Sequence, residues 1–354
     1  ELSQNYMMFW DKFEKANYFL ESIIDTVKED VDSRIVSWLL SDPIGDGGQW
    51  DMFMNLVEKY GVVPKNVMPE TFHSSQTSAM NRLLIIRLRK GAAELRNLFD
   101  DKKDFEELRS QKEKILEDVY SILCMCLGKP RSVFNFEYRD KENNFYRDTN
   151  LTPLEFYKKY VGFDRDQYIS IINAPTADKL FNNTYTVKYL GNVKEGKRIL
   201  YLNVDIDTLK KLAVAQLEDG EPIWFGCDVG KMMDRDSGIM DTNLYKYDSL
   251  LNVSFHMTKA QRLDYRESCL THAMVFTGVN IADGKPNRWK VENSWGDANG
   301  NKGFYIMSDD WFDEYLYQVV INKKYLTKEL LEALEKKPIE LQPWDPMGSL
   351  ALIR

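Results

Sequence analysis

The stretch from Thr271 to Asp297, THAMVFTGVNIADGKPNRWKVENSWGD, decides the fold. Its ends, THAMVFTGV and NRWKVENSW, are short runs rich in β-branched and aromatic residues, the composition of strands. The polar tip between them, IADGKPN, reads as the turn of a hairpin. An isolated histidine in an apolar strand is ordinarily a satisfied core residue. Here two antiparallel strands joined by a short turn can set His272 beside Asn293. That pairing suits a general base. An asparagine oxygen accepts from one ring nitrogen and fixes the tautomer, and the other nitrogen faces a thiol. A thiol beside imidazolium is a thiolate at neutral pH, its pKa lowered to about 3–4 in the most polarised pairs. An amide orienter adds no competing negative charge. Trp295 would cover the pair and exclude water.

Working outward, the residues before this hairpin fall into two regimes. Leu2, Tyr6, Phe9, Phe13, Ala16, Leu20, Ile24 and Val27 recur at helical spacing, with Ser3 as a cap and with Asp11, Lys12 and Lys15 between them. SDPIGDGGQWD (41–51) is a turn-rich loop, and a second helix runs from Trp50 to Tyr60 and ends at Gly61. Residues from about 76 to 127 read as long helices, the run DDKKDFEELRSQKEK being a solvated face. After about residue 184 the pattern changes: TYTVKYL, RILYLNV, PIWFGCDV and GFYIMS join the hairpin as short strands. Helices first and strands afterwards signal α+β layering. The end, KKPIELQPWDPMGSLALIR, has three prolines and no period, so it is an arm.

Composition excludes several classes. The net charge of −8 argues against a general polyanion binder. No window approaches the ~18 consecutive apolar residues of a membrane span. Four cysteines, none in a Cys-x-x-Cys pair, argue for a reducing compartment. No phosphate loop, metal-spaced His/Cys cluster or dinucleotide fingerprint is present, so no cofactor and no metal are expected. The other histidines read as structural: His73 on a surface loop, His256 partly buried. Cys227 reads as a mid-strand packing thiol, and Cys124 and Cys126 as core of a helix. Cys269, three residues before His272, reads as lying on the same strand and facing away from it. The Met-rich KMMDRDSGIMD reads either as a mobile loop or as gap-filling core.

THAMVFTG followed by VENSWGD resembles the histidine and asparagine motifs of papain-like cysteine peptidases. Gly47 and Gly48 in GDGGQWD resemble that superfamily's substrate-binding glycine pair, which exposes backbone groups to an extended peptide. A narrower resemblance covers nearly the whole chain. ELSQNYMMFWDKFEKANYFLE, GDGGQWDMFMNLVEKYGVVPK, MPETFHSSQTSAMNRLL, EPIWFGCDVGK and PWDPMGSLA are similar, in order, to the bleomycin hydrolase and bacterial aminopeptidase C family.

The resemblance implies a papain-like α+β fold: a helical half (1–70), a helical insertion (71–184), a β-barrel-like half carrying His272 and Asn293 (185–325), and a C-terminal helix and arm (326–354). It implies a cytoplasmic homo-hexamer that removes N-terminal residues from short peptides by a Cys-His-Asn mechanism. It also implies that the arm, Leu350, Ala351, Leu352, Ile353 and Arg354, lies in its own subunit's cleft and anchors the substrate's free amine. In that family the nucleophile sits in a Gly-Arg-Cys-Trp motif before ELSQ. The sequence opens at ELSQ, so Glu1 reads as internal to a longer protein and the cysteine as outside this chain. A preparation of these residues alone is then expected to be inactive. The rival expectation is a pseudopeptidase acting as a scaffold; membrane and nucleic acid are not expected partners.

Overall fold

The computed structural model describes residues 1–350. They form two compact units: Glu1–Phe163 with Tyr189–Arg198, and Asp164–Lys188 with the chain from Ile199 onward. The first unit is helical and the second carries the main sheet, an α+β organisation of the papain-like kind.

The first unit is built on α1, Gln4–Asp25. Ser3 caps it by accepting from the Tyr6 N–H, and Phe9, Ala16, Leu20 and Ile24 turn one face into the core. The short α2, Arg34–Ser41, buries only Val36 and Leu39. Two apolar contacts over two turns give too little periodicity to mark a helix in the sequence. Helix α3, Trp50–Tyr60, stops at Gly61, which has φ 69° and whose added Cβ would lie 2.3 Å from the Pro153 backbone. Only glycine meets both demands. After the single turn α4, Phe72–Ser75, the long helices α5, Ser78–Asp100, and α6, Phe105–Leu127, pack on α1. Asp104 and Glu107 form the capping box that starts α6. The charged run there is not wholly solvated: buried Lys112 pairs with Glu21 of α1 at 2.8 Å. Nor is 71–184 helical throughout, because Phe134–Arg139 (β1) and Phe145–Leu151 (β2) make a hairpin, followed by the short α7, Pro153–Phe156. Tyr138 and Tyr146 are directly paired across β1 and β2, and their stacked rings hold that ladder.

Strands enter the second unit earlier than residue 184. β3 is Tyr168–Ile172, followed by β4 (Asn183–Val187), β5 (Tyr201–Asn203), α8 (Ile206–Glu218) and β6 (Ile223–Cys227). The Met-rich segment folds into the small hairpin β7 (Met233–Asp234) and β8 (Ile239–Met240), with Met240 in the core. Helices α9 (Tyr247–Leu251) and α10 (Lys259–Asp264) lead to β9 (His272–Ala282) and β10 (Lys285–Glu292). The chain continues through β11 (Phe304–Ser308), α11 (Asp309–Tyr315), β12 (Leu316–Asn322), α12 (Lys328–Leu334) and β13 (Ile339–Leu341). These strands form one sheet in the order β13-β4-β5-β3-β12-β6-β9-β10-β11-β8-β7. β12 lies near its middle with all seven residues buried, so it shows no alternation for a sequence reading to find.

The β9–β10 hairpin turns at Asp283 and Gly284, both with positive φ, the geometry of a type I′ turn. Its ladder holds two extra residues. Ile281 pairs with Pro286, but Asn280 pairs with Arg288, so Asn287 is unmatched. Gly278 pairs with Lys290, but Phe276 pairs with Val291, so Thr277 is unmatched. The first bulge displaces the register by one residue and the second restores it. Because side chains alternate along a strand, Phe276, Met274 and His272 then share a face with Val291 and Asn293.

Candidate active site

His272 opens β9, and Asn293 follows the last residue of β10. The structure brings them together: His272 Nε2 lies 2.8 Å from Asn293 Oδ1. That oxygen also accepts the Ser294 backbone N–H at 2.8 Å, which identifies it as the oxygen of the amide. Nε2 therefore donates, and Nδ1 keeps its lone pair. Burial lowers the His272 pKa from its ordinary value, while the hydrogen bond to Asn293 pushes it back up. The isolated ring is thus neutral at neutral pH, ready to take a proton; a neighbouring thiolate would favour the charged form. The indole of Trp295 lies 4.8 Å from the His272 ring, and the Arg235 guanidinium lies 4.6 Å from the Trp295 ring.

Two hydrogen-bonded anchors fix the segment that delivers His272. In α10, buried Lys259 donates to the Asp313 and Leu316 carbonyls at 2.8 and 2.6 Å, and Arg262 donates to the Glu314 carbonyl at 3.0 Å. These cations cap the C-terminal end of α11, where orphan carbonyls collect negative charge. Burial pushes the Lys259 pKa down to about 7, against Asp313 and Glu314, which raise it. The second anchor is polar. Thr271 donates its backbone N–H to the Cys227 carbonyl, and Asp228 accepts from Ser268 and Thr271 hydroxyls at 2.8 and 3.1 Å.

Gly47 and Gly48 lie in the first unit, Gly47 buried and Gly48 exposed. A Cβ on Gly48 would meet nothing within 4 Å, so the chain's own packing does not require glycine there. The loop is held from beneath by two lysines that the sequence reading placed between apolar positions. Lys12 and Lys15 are buried: Lys12 donates to the Gly45 carbonyl at 2.9 Å, and Lys15 to those of Gly45 and Gly47 at 3.0 and 2.6 Å. A turn-rich loop leaves carbonyls without partners, and that demand was the signal for internal donors. Asp46 joins the loop to Lys12, Thr77 and Asn81. Burial pushes its pKa up, but the Lys12 ammonium and the three hydrogen bonds hold it at about 2.

Other residues depart from their sequence reading. Cys269 is not on the strand but in the buried coil before it. Cys227 is the packing thiol expected, but it ends β6, directly opposite His272 in the ladder; burial and then Asp228 push its thiol well above the ordinary value, so it stays protonated. Cys124 and Cys126 are half-buried, and Met125 between them is exposed. His73 belongs to α4 and is half-buried, whereas His256 is exposed. Of the arm, Leu350 is described, while Ala351, Leu352, Ile353 and Arg354 lie outside the described residues. The arm is not without elements: β13 pairs parallel with β4, Asp345 pairs with buried Lys179 at 2.9 Å, and Met347 is fully buried. Ser349 donates to the Leu270 carbonyl at 2.7 Å, two residues before His272. Among the described residues, no group of three His, Cys, Asp or Glu side chains is placed to hold a metal, and no helix is long and apolar enough to cross a membrane.

The model of the Peptidase C1-like family matches residues 1–348. The chain belongs to that family. It is 57% identical to Aminopeptidase C of Listeria monocytogenes over 352 residues, 99% of this chain and 79% of that protein. It is 44% identical to bleomycin hydrolase of Homo sapiens over 359 residues, with the same coverage. The crystal structure of PepW from Lactobacillus rhamnosis HN001 superposes with a TM-score of 0.97 at 56% identity, over 99% of this chain and 79% of that one. These matches overturn the expectation of an inactive scaffold; the chain spans 79% of the length of the aminopeptidases it matches. Nearly every residue here aligns with relatives that carry an aminopeptidase name at 57% and 49% identity. The family frames this chain as a cysteine-type peptidase, a hydrolase.

Proposed function

We propose that the protein is a cysteine-type aminopeptidase that removes N-terminal residues from short peptides, with His272 as general base and acid and Asn293 as its orienter. The observation that carries this reading is the 2.8 Å contact between His272 Nε2 and Asn293 Oδ1 under the Trp295 ring. Nδ1 takes the proton of a thiol, and the thiolate attacks the first peptide carbonyl. The tetrahedral adduct collapses as the imidazolium protonates the departing amine, leaving a thioester. Water then attacks, His272 takes its proton, and the thiolate leaves. Asn293 keeps the ring in one tautomer through both halves, and Trp295 shields their hydrogen bond from water.

Gly47 and Gly48 are assigned, on the family resemblance, to pairing with the substrate backbone; a glycine with no steric reason of its own supports that role. The arm is assigned the limit on how far a substrate enters, because Ser349 ties it to Leu270 and so to the start of β9. A cytoplasmic homo-hexamer is proposed on the resemblance, with the free cysteines in favour of a reducing compartment. The net charge of −8 speaks against nucleic acid as a partner.

The test is peptide hydrolysis by the full-length enzyme, followed by mass spectrometry. Short peptides with a free amine should lose N-terminal residues, N-acetylated ones should not, and iodoacetamide should stop turnover. Removing Leu352 to Arg354 should change the number of residues released per cut. Iodoacetamide-insensitive turnover would reject the thiol mechanism; an unchanged cutting position would reduce the arm to a structural tail.

A further inference from the structure

Among the buried ionisable groups that the mechanism above leaves unused, one lies next to the start of β9. Asp228 follows β6, is 5% exposed, and is satisfied by hydroxyls, not by a cation. Ser268 donates to Asp228 Oδ2 at 2.8 Å, and Thr271 donates to Oδ1 at 3.1 Å. Ser268 in turn accepts from the Tyr317 hydroxyl of β12 at 2.7 Å. The Thr271 hydroxyl also accepts the Val229 N–H at 3.2 Å. Burying a carboxylate is costly, and stability alone is served as well by an apolar side chain. What the carboxylate supplies is direction. It accepts on both oxygens, and charge-assisted bonds in a chain of hydroxyls reinforce one another.

This network ends on the residue before His272. Thr271 is held by the Asp228 carboxylate, the Val229 N–H and the Cys227 carbonyl. Ser268 is pinned three residues earlier. The Cα–Cβ vector of His272 is therefore fixed from its N-terminal side by the network, as its ring is fixed from the far side by Asn293. We infer that Asp228, with Ser268, Thr271 and Tyr317, is a positioning device for His272: a buried carboxylate that sets the height and tilt of the ring without touching substrate. The inference rests on the proposed catalytic role of His272. Displacing a catalytic group by about an ångström costs on the order of 100-fold in rate, which sets the size of the effect.

The experiment uses Thr271→Val, which keeps the shape of threonine and removes its hydroxyl, Thr271→Ser, which keeps the hydroxyl, and Asp228→Asn. Each full-length variant is assayed per folded molecule by circular dichroism and steady-state kinetics. The His272 ring is followed by 15N NMR against the rings of His73 and His256. Expected are a kcat loss of about 10–100-fold for Thr271→Val with KM little changed, recovery in Thr271→Ser, and His272 ring resonances displaced in Thr271→Val and Asp228→Asn while those of His73 and His256 stay in place. If Thr271→Val does not fold, Asp228→Asn carries the same kcat and NMR expectations. Wild-type kcat in the folded variants, or activity falling only with the folded fraction while the His272 resonances stay put, overturns the inference. Full activity in His272→Ala would instead reject the catalytic reading itself and leave the NMR displacement to judge the positioning.

Discussion

Replacing His272 by alanine should lower kcat/KM on aminoacyl substrates by on the order of 10⁶-fold, the cost of losing the base in a nucleophile–base pair. In the proposed cycle the ring performs every proton transfer, and neither of the other histidines in this chain stands in its place. Of the other two histidines, His73 sits in α4 and His256 is exposed ahead of α10. Alanine at either should leave most of the activity. Asn293→Ala should fall between, because the ring remains under Trp295 but loses the acceptor that sets its tautomer. The graded series His272→Ala, Asn293→Ala, His73→Ala, measured as kcat/KM per folded molecule, checks the assignment. A His73→Ala loss as deep as that of His272→Ala would break it.

The largest effect on stability is expected at Trp289, at the centre of β10. Its side chain is fully buried, stacked on Phe312 at 4.4 Å and 19° and set against Phe276 at 5.1 Å. Its indole N–H donates to Asp309 at 3.0 Å, and Asp309 also pairs with Lys210. Trp289→Ala removes an aromatic ring from a packed interior that cannot collapse around the void, at a cost of about 3–5 kcal/mol. Trp289→Phe keeps most of the stack, and Asp309 keeps Lys210, so its cost should be roughly 1–2 kcal/mol. Urea unfolding of both variants checks this; equal losses would mean that the hydrogen bond, not the stack, carries the site.

What the sequence made legible follows the physics of each element. Helices α1 and α6 carry long apolar periods and side-chain caps, α3 stops at Gly61, and the hairpin bearing His272 and Asn293 has a polar turn between two β-rich runs. Both kinds of signal are local. What stayed hidden depends on the fold. β12 is buried on both faces, so it shows no alternation. Lys12 and Lys15 look like solvent charges on α1, and only the loop above them, with its unpaired carbonyls, explains their burial. Asp228 lies some 40 residues before Thr271, and nothing in either segment announces the bond between them. The family resemblance supplied the candidate site, and the helix and hairpin patterns supplied its scaffold. The supports beneath the site came from tertiary structure alone.

The two unmatched residues of the β9–β10 hairpin are slack in a belt. Asn287 and Thr277 are each carried without a partner on the other strand. Deleting Thr277 joins Gly278 to Phe276 opposite Lys290 and Val291, so every paired residue keeps its present partner and His272 still meets Asn293. Deleting Asn287 does the same on the other strand, joining Pro286 to Arg288. Deleting Glu292, which is paired with Val275, instead moves Asn293 one position along the ladder and onto the face opposite His272, so turnover should be lost. Loss is therefore tolerated in this hairpin where a residue has no partner, and not where it has one.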